Sequence, residues 1–587
     1  MLNKMFFKKF NNFKEWFVLQ PIFIQVSIII LFSLLLIVSS SFFIGSIEDT
    51  YTIFVDPASL FIAKQSNATL FFSLVLMIVG VVILSFVVSV LTTFLEEILR
   101  DIRLGKLNFL GENHTIIINY NETIFNILEE LNHLYNSKKE SHEVILLLHH
   151  YEETQLFLEK ITSKDYNALT IRVRIGDLYD INKYKQISIL DAHSLIILND
   201  QSFENDFLKD NHNLKIINTL YQDKAFKNKL EQKRQQLNPM KIVVVFSSQK
   251  ENDFGKLTNN LTNNHFFAIT PKNILNSLLN ISMIDVNFYN IWSLLLSFES
   301  YQFYFLDPKQ LNVVGKTYRE IVAAQQNGIL FGISRANNGD FDIQINVFDT
   351  VIQKSDWLIF AAKSKENISL KKISYHYKET INIEQPADLF QRNILIVGDK
   401  RAVETKEFLD FENSIIHNIN PSTKELLEKE FFSNHLNNYD IIILNLENEL
   451  IYRIALYLRM YYSEIQLQKF VFLVEDATIA SQIKKMELSN VIISNQLLAK
   501  YVVQVANQIS LHKLFQNLFV TEDAEINTIT LSNLDKSLQT NIEKLKFHLA
   551  QNNLTFLGTI NKNHSISIES SSLENAKEIV VISTGEI

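Results

Sequence analysis

The chain has 587 residues, of which 47% are hydrophobic and 20% are charged, and its formal net charge is −9. This length is enough for three or four domains of ~100–200 residues each. The negative charge and the lack of a basic block argue against a nucleic-acid partner. The absence of cysteine excludes disulfides, thiolate chemistry and cysteine-based zinc sites.

Two uncharged apolar stretches near the amino terminus predict a membrane hairpin. The first runs from Pro21 to Gly45 and the second from Ala68 to Leu95, and each is long enough to cross a hydrocarbon core of ~30 Å. A signal peptide has a shorter apolar core of ~7–15 residues, which favours true spans. Basic residues flank the hairpin at both outer ends, whereas segment 46–67 between the spans has a single basic residue, Lys64. This distribution predicts a multi-pass protein of the cell (inner) membrane with both termini in the cytoplasm.

The loop between the two spans, Asp49 to Ala63, is too apolar for a solvated linker and too short for a third span. A turn of amphipathic helix is followed there by Asp56, Pro57, Ala58 and Ser59. This arrangement suits a re-entrant pore segment, because irregular backbone at membrane depth is tolerated only where it lines water or is buried in protein. Four Asp56 carboxylates around an axis would form the charged ring that cation pores use. The alternative is a plain external turn, which Asp-Pro also favours.

Four polar side chains fall on one face of the second span, at positions i, i+4, i+7 and i+11. They are Ser85, Ser89, Thr92 and Glu96. In line on an inner helix they suit a wetted cavity, and Glu96 with Glu97 would attract cations at the inner mouth. The alternative is that the hydroxyls bond back to their own helix or hold neighbouring helices together. Because two helices cannot enclose a pore, the hairpin is either a plain anchor or one quarter of a tetrameric pore.

From His114 onward, short apolar strands alternate with amphipathic helices, which predicts a parallel sheet covered on both faces. The candidate strands of the first half are 115–119, 143–149, 170–173, 194–198, 241–246 and 266–268. An apolar helix (287–298) and a small α+β lobe follow, and then the order starts again. The candidate strands of the second half are 393–397, 440–446, 469–474 and 491–493, and a long helix, 496–519, comes after them. This region is therefore predicted to be an internal duplication.

These patterns divide the chain into five parts. They are a cytoplasmic amino terminus (1–20), a two-span pore domain (21–98), a connector (99–113), a first α/β unit (114–391, small lobe about 302–365) and a second α/β unit (392–587, small lobe about 526–587). The predicted fold class is a membrane α-helical hairpin with two spans and a re-entrant pore segment, plus two tandem Rossmann-like α/β units. Each α/β unit carries a small α+β lobe.

Neither α/β unit has the glycine fingerprint of a dinucleotide site. The first strand–helix turn of the first unit reads NYNETIF from Asn119, without glycine, and that of the second unit reads VGDKRAV, with Gly398 and Asp399 as candidate cofactor-binding residues. We favour degenerate scaffolds over NAD sites. No P-loop, GxSxG or HExxH motif occurs, so we expect no enzyme and no redox cofactor.

Acidic residues near strand ends or helix junctions are the candidate ligands for a cation, because α/β folds place their ligand crevices there. They are Asp177, Asp180, Glu299 and Asp440. Hard cations need several oxygens that converge on one point, and the sequence shows no EF-hand spacing that would supply them. The alternative for each acid is a solvated charge, and the metal ligands stay undetermined from the sequence.

Four segments carry a resemblance to the CASTOR/POLLUX ion-channel family, which has bacterial members. They are EEILRDIRLGKLNFLGENHTIIINYNETIFNILEELN (96–132), NIWSLLLSFESYQFYF (290–305), RNILIVGDKRAVETKEFL (392–409) and VIISNQLLAKYVVQVANQISLHKLFQNLF (491–519). In that family the equivalent stretches run from the inner helix into the first sensor strand, form the crossover before the small lobe, open the second sensor unit and carry a late helix. The resemblance covers roughly residues 46–587.

The resemblance implies a homotetrameric cation channel, in which each subunit contributes two tandem RCK domains (regulators of K⁺ conductance) to a cytoplasmic gating ring with Ca²⁺ as its ligand. It also implies that Val55 to Phe61 matches the filter segment. Bacterial relatives tend to have an Asp-Pro-Gly-Thr-like run there, where this chain has Ala58. Because alanine lacks the access of glycine to positive φ, and because the Thr-Val-Gly-Tyr-Gly filter is absent, strong K⁺ selectivity is not expected.

The predicted function is therefore a ligand-gated cation channel. One alternative is a non-conducting, membrane-anchored RCK-type regulatory subunit of a separate ion transporter. The other is a membrane-tethered NAD(P)-dependent enzyme, which the missing phosphate-turn glycines disfavour. The expected partners are the lipid bilayer, the permeating cations and further copies of the same chain.

Overall fold

A computed structural model describes most of the chain in ranges separated by gaps. The described residues are 16–17, 20, 22–56, 67–103, 108–149, 157–161, 164–234, 240–247, 258, 262, 266–270, 287–337, 340–371, 393–398, 415–519, 525–562, 565–569 and 571–583. They belong to two compact units, Met1–Leu107 and Asn108–Ile587.

The amino-terminal unit is a hairpin of two long helices with a short helix between them. The helices are α1 (Ile22–Ile44), α2 (Ile47–Val55) and α3 (Asn67–Arg103). Stretches of 22 residues in α1 and 28 residues in α3 are long and apolar enough to cross a membrane. The two long helices are antiparallel, because the Phe43 ring stacks on Phe72 at one end and Phe23 meets Phe94 at the other. The two predicted apolar spans are thus present as helices.

The first α/β unit is built on a six-stranded parallel sheet in the order β3-β2-β1-β4-β5-β6. Its elements are β1 (Thr115–Ile118), α4 (Thr123–Lys138), β2 (His142–Leu148), β3 (Leu169–Ile175), α5 (Ile181–Gln186), β4 (Ser194–Ile197), α6 (Asp206–Gln222), α7 (Lys224–Arg234), β5 (Lys241–Val245), β6 (Phe266–Ile269) and α8 (Asn287–Leu296). Every residue of the central strand β1 is buried, because helices cover both faces of the sheet. The strand order reverses between β1 and β4, which is where Rossmann folds bind ligands.

A small antiparallel lobe follows the first sheet. It consists of β7 (Gln302–Leu306), α9 (Tyr318–Ala324), β8 (Gln325–Asn327), β9 (Ile329–Asn337), β10 (Asp340–Ile345), β11 (Trp357–Ala362) and β12 (Ser369–Leu370). Its main sheet has the order β10-β9-β11-β7. Helix α9 begins with a reciprocal capping box between Thr317 and Glu320, which satisfies the first backbone donors of the helix.

The second α/β unit repeats this plan with a shorter sheet in the order β14-β13-β15-β16-β17. Its elements are β13 (Asn393–Gly398), β14 (Ile415–Ile419), α10 (Thr423–Leu426), α11 (Lys429–Leu436), β15 (Ile441–Asn445), α12 (Asn448–Tyr461), α13 (Glu464–Leu467), β16 (Phe470–Val474), α14 (Ala477–Lys485), β17 (Val491–Ile493), α15 (Ser494–Asn507) and α16 (Leu511–Phe519). The second lobe contains β18 (Glu525–Thr530), α17 (Lys536–Gln539), α18 (Ile542–Gln551), β19 (Leu554–Asn561), β20 (Ile566–Ile568) and β21 (Ala576–Ser583). The predicted internal duplication is confirmed.

A single hydrophobic core joins the two α/β units. Helix α15 of the second unit packs against α4 and α8 of the first unit, and the shared core includes Leu128, Trp292 and Tyr501. The lobes also touch, since Thr555 Oγ1 lies 2.9 Å from the side-chain oxygen of Asn346. The two units are therefore two halves of one folded body.

Two details differ from the sequence-based prediction. Strand β14 was not predicted, because its exposed edge sequence IIHNI lacks a continuous apolar run. The predicted long helix 496–519 is wrong: it is two helices, α15 and α16, separated at an extended Gln508. No glycine or proline marks that break. The carbonyl oxygen of Asn507 at the end of α15 instead accepts a hydrogen bond from the Lys241 ammonium of the first unit, a contact that the local sequence does not reveal.

Candidate pore segment and ligand crevices

Helix α2 is packed inside the hairpin rather than across its end. Ile53 of α2 is buried against Leu76 of α3, with Ile44 and Met77 beside them. A β-carbon on Gly80 would lie 2.3 Å from the carbonyl oxygen of Phe54, so only glycine allows this approach. Of the two roles that Gly80 can have in a helix, hinge or close packing, the structure supports close packing.

The direction of α2 follows from these contacts. The chain enters α2 at the level of Phe72, because the ring of Phe43, just before the turn, stacks on it. It leaves α2 at the level of Gly80, near the middle of the apolar stretch of α3. The nine residues of α2 rise about 13 Å, which matches the ~12 Å between those levels on α3. Helix α2 therefore runs back into the hairpin, as the predicted re-entrant segment requires.

Asp56 is the carboxyl-terminal cap of this helix, and its backbone N–H donates to the Thr52 carbonyl oxygen at 2.8 Å. The carbonyl end of a helix carries partial negative charge, so the carboxylate of Asp56 adds to a potential that attracts cations. The other predicted filter residues, Pro57, Ala58 and Ser59, lie outside the described residues. Ser46 caps the opposite end of α2 by accepting a hydrogen bond from the N–H of Asp49.

The predicted polar face of the second span is exposed along its whole length in the single chain. Its members are Ser85, Ser89, Thr92 and Glu96. At ~100° per residue this face lies roughly opposite the side of α3 that packs against α1 and α2. The hydroxyls of Ser85 and Thr92 donate to the carbonyl oxygens of Val81 and Val88, at 2.7 and 2.9 Å. The donors of these two hydroxyls are thus satisfied within their own helix, as the alternative interpretation predicts, while both residues are exposed.

A buried polar network fills the switch point of the first α/β unit, which is the place between β1 and β4 where the strand order reverses. Asn119, at the end of β1, donates through Nδ2 to the Leu198 carbonyl oxygen at 2.7 Å and to the Asn213 side chain at 3.0 Å. Its own Oδ1 accepts from His212 Nε2 at 3.0 Å. Asn213 donates in turn to the carbonyl oxygen of Val245 on β5 at 2.8 Å. Asn119 has a φ of 72°, a conformation that asparagine adopts more readily than most residues.

The same network reaches the turn after β3. The Tyr179 hydroxyl lies 2.6 Å from His212 Nδ1. The buried carboxylate of Asp200, which follows β4, has one oxygen 3.8 Å from His212 Nε2 and the other in a hydrogen bond from the N–H of Ser202. A second buried carboxylate, Asp210 on α6, accepts a hydrogen bond from the N–H of Ser247 at 2.7 Å. Side chains that follow β1 and β4, side chains of α6 and of the turn at 177–180, and backbone groups at the end of β5 thus meet in one place.

At the switch point of the second unit, between β13 and β15, the last residue of β13 is Gly398, which pairs with Asn445 of β15. A glycine there leaves the end of the strand without a side chain. The other predicted cofactor-binding residue, Asp399, lies outside the described residues. Cofactor binding at this turn stays a prediction.

The structure does not bring the four predicted carboxylate ligands together. Asp177 and Asp180 share one turn, where each accepts a hydrogen bond from a backbone N–H two residues onward. Glu299 follows α8, and Asp440 lies at the amino-terminal edge of the second sheet, where it accepts from the N–H of Asn393. Within the described part of the chain, no group of three or more His, Asp or Glu is placed to hold a metal ion. Ca²⁺ binding by these carboxylates stays a prediction.

A buried charged pair lies at the seam between the two units. Glu130 of α4 accepts hydrogen bonds from Ser297 Oγ at 3.2 Å and from the N–H of Phe298 at 3.1 Å. Lys500 of α15 donates to the carbonyl oxygen and the hydroxyl of Ser293, at 2.9 and 2.8 Å. Burial raises the pKa of Glu130 and lowers that of Lys500, and each charge partly opposes the shift of the other. The hydrogen bonds of both side chains therefore depend on how α4, α8 and α15 pack together.

The sequence-based reasoning missed the network and the seam pair. The signal for the network was the asparagine–aspartate pair Asn199–Asp200 directly after a buried strand, together with polar residues at 210, 212 and 213 on the apolar face of a helix. Lys500 was similarly conspicuous as a charge within an otherwise buried helix. The partners of these residues are far away in the chain, so the sequence does not identify them.

No protein-family model matches the chain, and no curated protein matches it. Among solved structures, the human SLO3 gating ring is similar with a TM-score of 0.52 and 10% identity, over 81% of this chain and 100% of that chain. The GsuK channel bound to NAD is aligned over 96% of this chain and 97% of that chain, with 15% identity and a TM-score of 0.43. GsuK bound to ADP is aligned over 84% and 100%, with 12% identity and a TM-score of 0.42. The two Rossmann-like units with their small lobes thus have the fold of a gating ring.

Proposed function

We propose that this chain is the subunit of a ligand-gated cation channel, in which four copies place α2 and α3 around a pore and the α/β units form a cytoplasmic gating ring. The observation that carries this proposal is the path of α2, which ends at Asp56 beside the middle of the apolar stretch of α3. Anchoring in a membrane alone does not require a short helix that runs back into the hairpin.

The polar face of α3 supports assembly around water. Ser85, Ser89, Thr92 and Glu96 point away from the other helices of their own chain. Polar and ionisable groups in a membrane are costly when they face lipid, and they normally face a bundle interior or a water-filled cavity. Four copies of α3 around an axis would turn this face inward and complete a cavity behind the Asp56 ring.

The α/β units are proposed to regulate the pore rather than to catalyse a reaction. The similarity in fold to a gating ring supports this role. The segment before β1 is anchored on the first unit, since the N–H of Phe109 donates to Gln186 and that of Asn113 donates to Asp191. A ligand that binds one state of the ring better shifts the population toward that state. Movement of the first unit would then pull on the segment that continues from α3.

The regulatory ligand is part of the proposal. The resemblance implies Ca²⁺, and the described carboxylates do not converge on a Ca²⁺ site. Ca²⁺ as the ligand therefore rests on the resemblance alone.

The test of the pore is the substitution Asp56→Asn in the purified chain reconstituted into liposomes. It removes a charge from the ring without changing the shape of the side chain, and a charged ring enriches cations locally on the order of ten-fold or more. We expect lower cation conductance and weaker selectivity for cations over anions. Asp49→Asn, at the opposite end of α2, is the matched control and should leave both unchanged. Unchanged conductance and selectivity in Asp56→Asn would refute the proposed filter.

A further inference from the structure

The first α/β unit has the strand order of a dinucleotide-binding fold, but the residues at its switch point do not fit a nucleotide. A dinucleotide needs a turn after β1 that brings backbone close to the pyrophosphate, which is why glycine is required there. This chain has Asn119 at that turn, and its amide is fully used by Leu198, Asn213 and His212. The buried Asn119 side chain instead links the ends of β1 and β4, which is where Rossmann folds bind their ligand.

The first three backbone N–H groups of the helix that would bind the pyrophosphate already have partners. Phosphate normally binds the first backbone N–H groups of the helix after β1. In α4, the N–H of Thr123 donates to the Asn121 side chain at 2.7 Å and that of Ile124 to the Asn121 carbonyl oxygen at 3.0 Å. The N–H of Phe125 donates to the carbonyl oxygen of Glu122, the residue that precedes the helix. These hydrogen bonds use the backbone donors that an anion would otherwise bind at the start of α4.

The charge at the switch point also disfavours a phosphate. Asp200 and Asp210 are both almost completely buried there. The one side chain of the network that can carry positive charge, His212, lies 3.8 Å from an oxygen of Asp200. That oxygen has no hydrogen-bond partner among the described residues, and the imidazole is the group that faces it. An anionic ligand at the network would thus meet two buried carboxylates.

We infer that the first α/β unit binds no nucleotide at its switch point, and that Asn119, His212 and Asn213 instead form an internal joint that holds β1, β4, β5, α6 and the turn at Tyr179 together. A regulatory nucleotide, if the chain takes one, must act through a different place, such as the second unit with Gly398 at its first turn. This inference does not depend on the proposed channel activity, because ligand binding is measured without ion flux.

The first test is photolabelling of the purified full-length chain with an azido analogue of ADP, followed by peptide mapping. We expect no label in peptides that contain Asn119 to Thr123 or Asp200 to Asn213. Label in the second unit, or no label, supports the inference. Label in those first-unit peptides that excess ADP or NAD⁺ suppresses would overturn it.

The second test concerns the joint itself. Asn213→Ala removes the hydrogen bonds that link Asn119 to Val245, so the melting temperature of the ligand-free protein should fall by several degrees. Thr219→Ala is the matched control on the same helix, because Thr219 is only half-buried and its hydroxyl donates to the Lys215 carbonyl oxygen of its own helix. Equal melting temperatures for Asn213→Ala and the wild type would show that the network is not a joint.

Discussion

His142 shows how burial sets the charge of a single side chain in this protein. It lies at the amino-terminal edge of the first sheet, with its Nε2 2.9 Å from the Thr115 hydroxyl. Burial, followed by the neighbouring basic groups His193, Lys138 and His114, lowers its pKa to about 3. The imidazole is therefore neutral in the folded chain at any pH above that value.

This shift predicts a loss of stability in mild acid. As the pH falls below about 6.5, the unfolded chain binds a proton at His142 that the folded chain does not bind, so stability decreases down to pH 3. Between pH 7.5 and pH 5, His142 alone lowers the free energy of unfolding by about 2 kcal/mol. His142→Gln should remove that part of the pH dependence of the melting temperature, whereas His417→Gln, at an exposed histidine, should not. An unchanged acid sensitivity of His142→Gln would contradict the assignment.

Gly80 is a second residue whose role depends on one contact. Gly80→Ala places a methyl group 2.3 Å from the Phe54 carbonyl oxygen, so α2 must move away from α3. Overpacking of this kind costs about 1–3 kcal/mol. We expect a lower melting temperature in detergent. Val82→Ile adds a methyl group on the exposed side of the same helix and is the control; if the two variants melt alike, α2 is not packed as described.

At the scale of elements, α15 connects the two halves of the α/β region. It belongs to the second unit by sequence, yet it packs on α4 and α8 of the first unit and carries Lys500 into their interface. A buried charge that loses its partner is costly, whereas removal of both charges is much less so. The fit of this one helix therefore couples any change in one unit to the other.

A double-mutant cycle measures that coupling. Lys500→Met should destabilise the protein by about 1–3 kcal/mol, because Glu130 then stays buried without an opposing charge. Adding Glu130→Gln should restore part of the loss, with a coupling free energy of about 0.5–3 kcal/mol. Lys485→Met, at an exposed position on α14, is the control. Strictly additive effects of the two substitutions in denaturant unfolding would mean that the charges do not interact.

The elements also show what the sequence can and cannot predict. The sequence pattern predicts ten parallel strands, and all ten occur. The sequence does not predict the edge strand β14, because this strand is partly exposed and lacks a long apolar run. It also does not predict the break after Asn507, because the Asn507 carbonyl oxygen is bound by Lys241, which is far away in the chain. For the candidate site, the apolar loop and Asp56 indicated the re-entrant path. The Asn119 network was not predictable, since Asn119 and Asn213 meet only when β1 and α6 are packed.

At the scale of the whole molecule, the chain combines a hairpin that is incomplete alone with an α/β region that is a complete folded body. The central strands of both parallel sheets in the α/β region are buried within one chain. The hairpin leaves the face of Ser85, Ser89 and Thr92 exposed on an apolar helix. Assembly of several copies is thus expected to be driven by the need to cover this face, and a monomeric mass in detergent would argue against a pore.

The measurement that tests the central claim most directly is ion flux through the purified chain in liposomes, with K⁺, Na⁺ or Ca²⁺ as the permeating ion. It is made with and without micromolar to millimolar Ca²⁺ on the side of the α/β region. We expect cation flux that Asp56→Asn reduces, and a dependence on Ca²⁺ would identify the regulatory ligand. Absence of flux from a well-folded tetramer under every condition would contradict the channel and favour a regulatory subunit of a separate transporter.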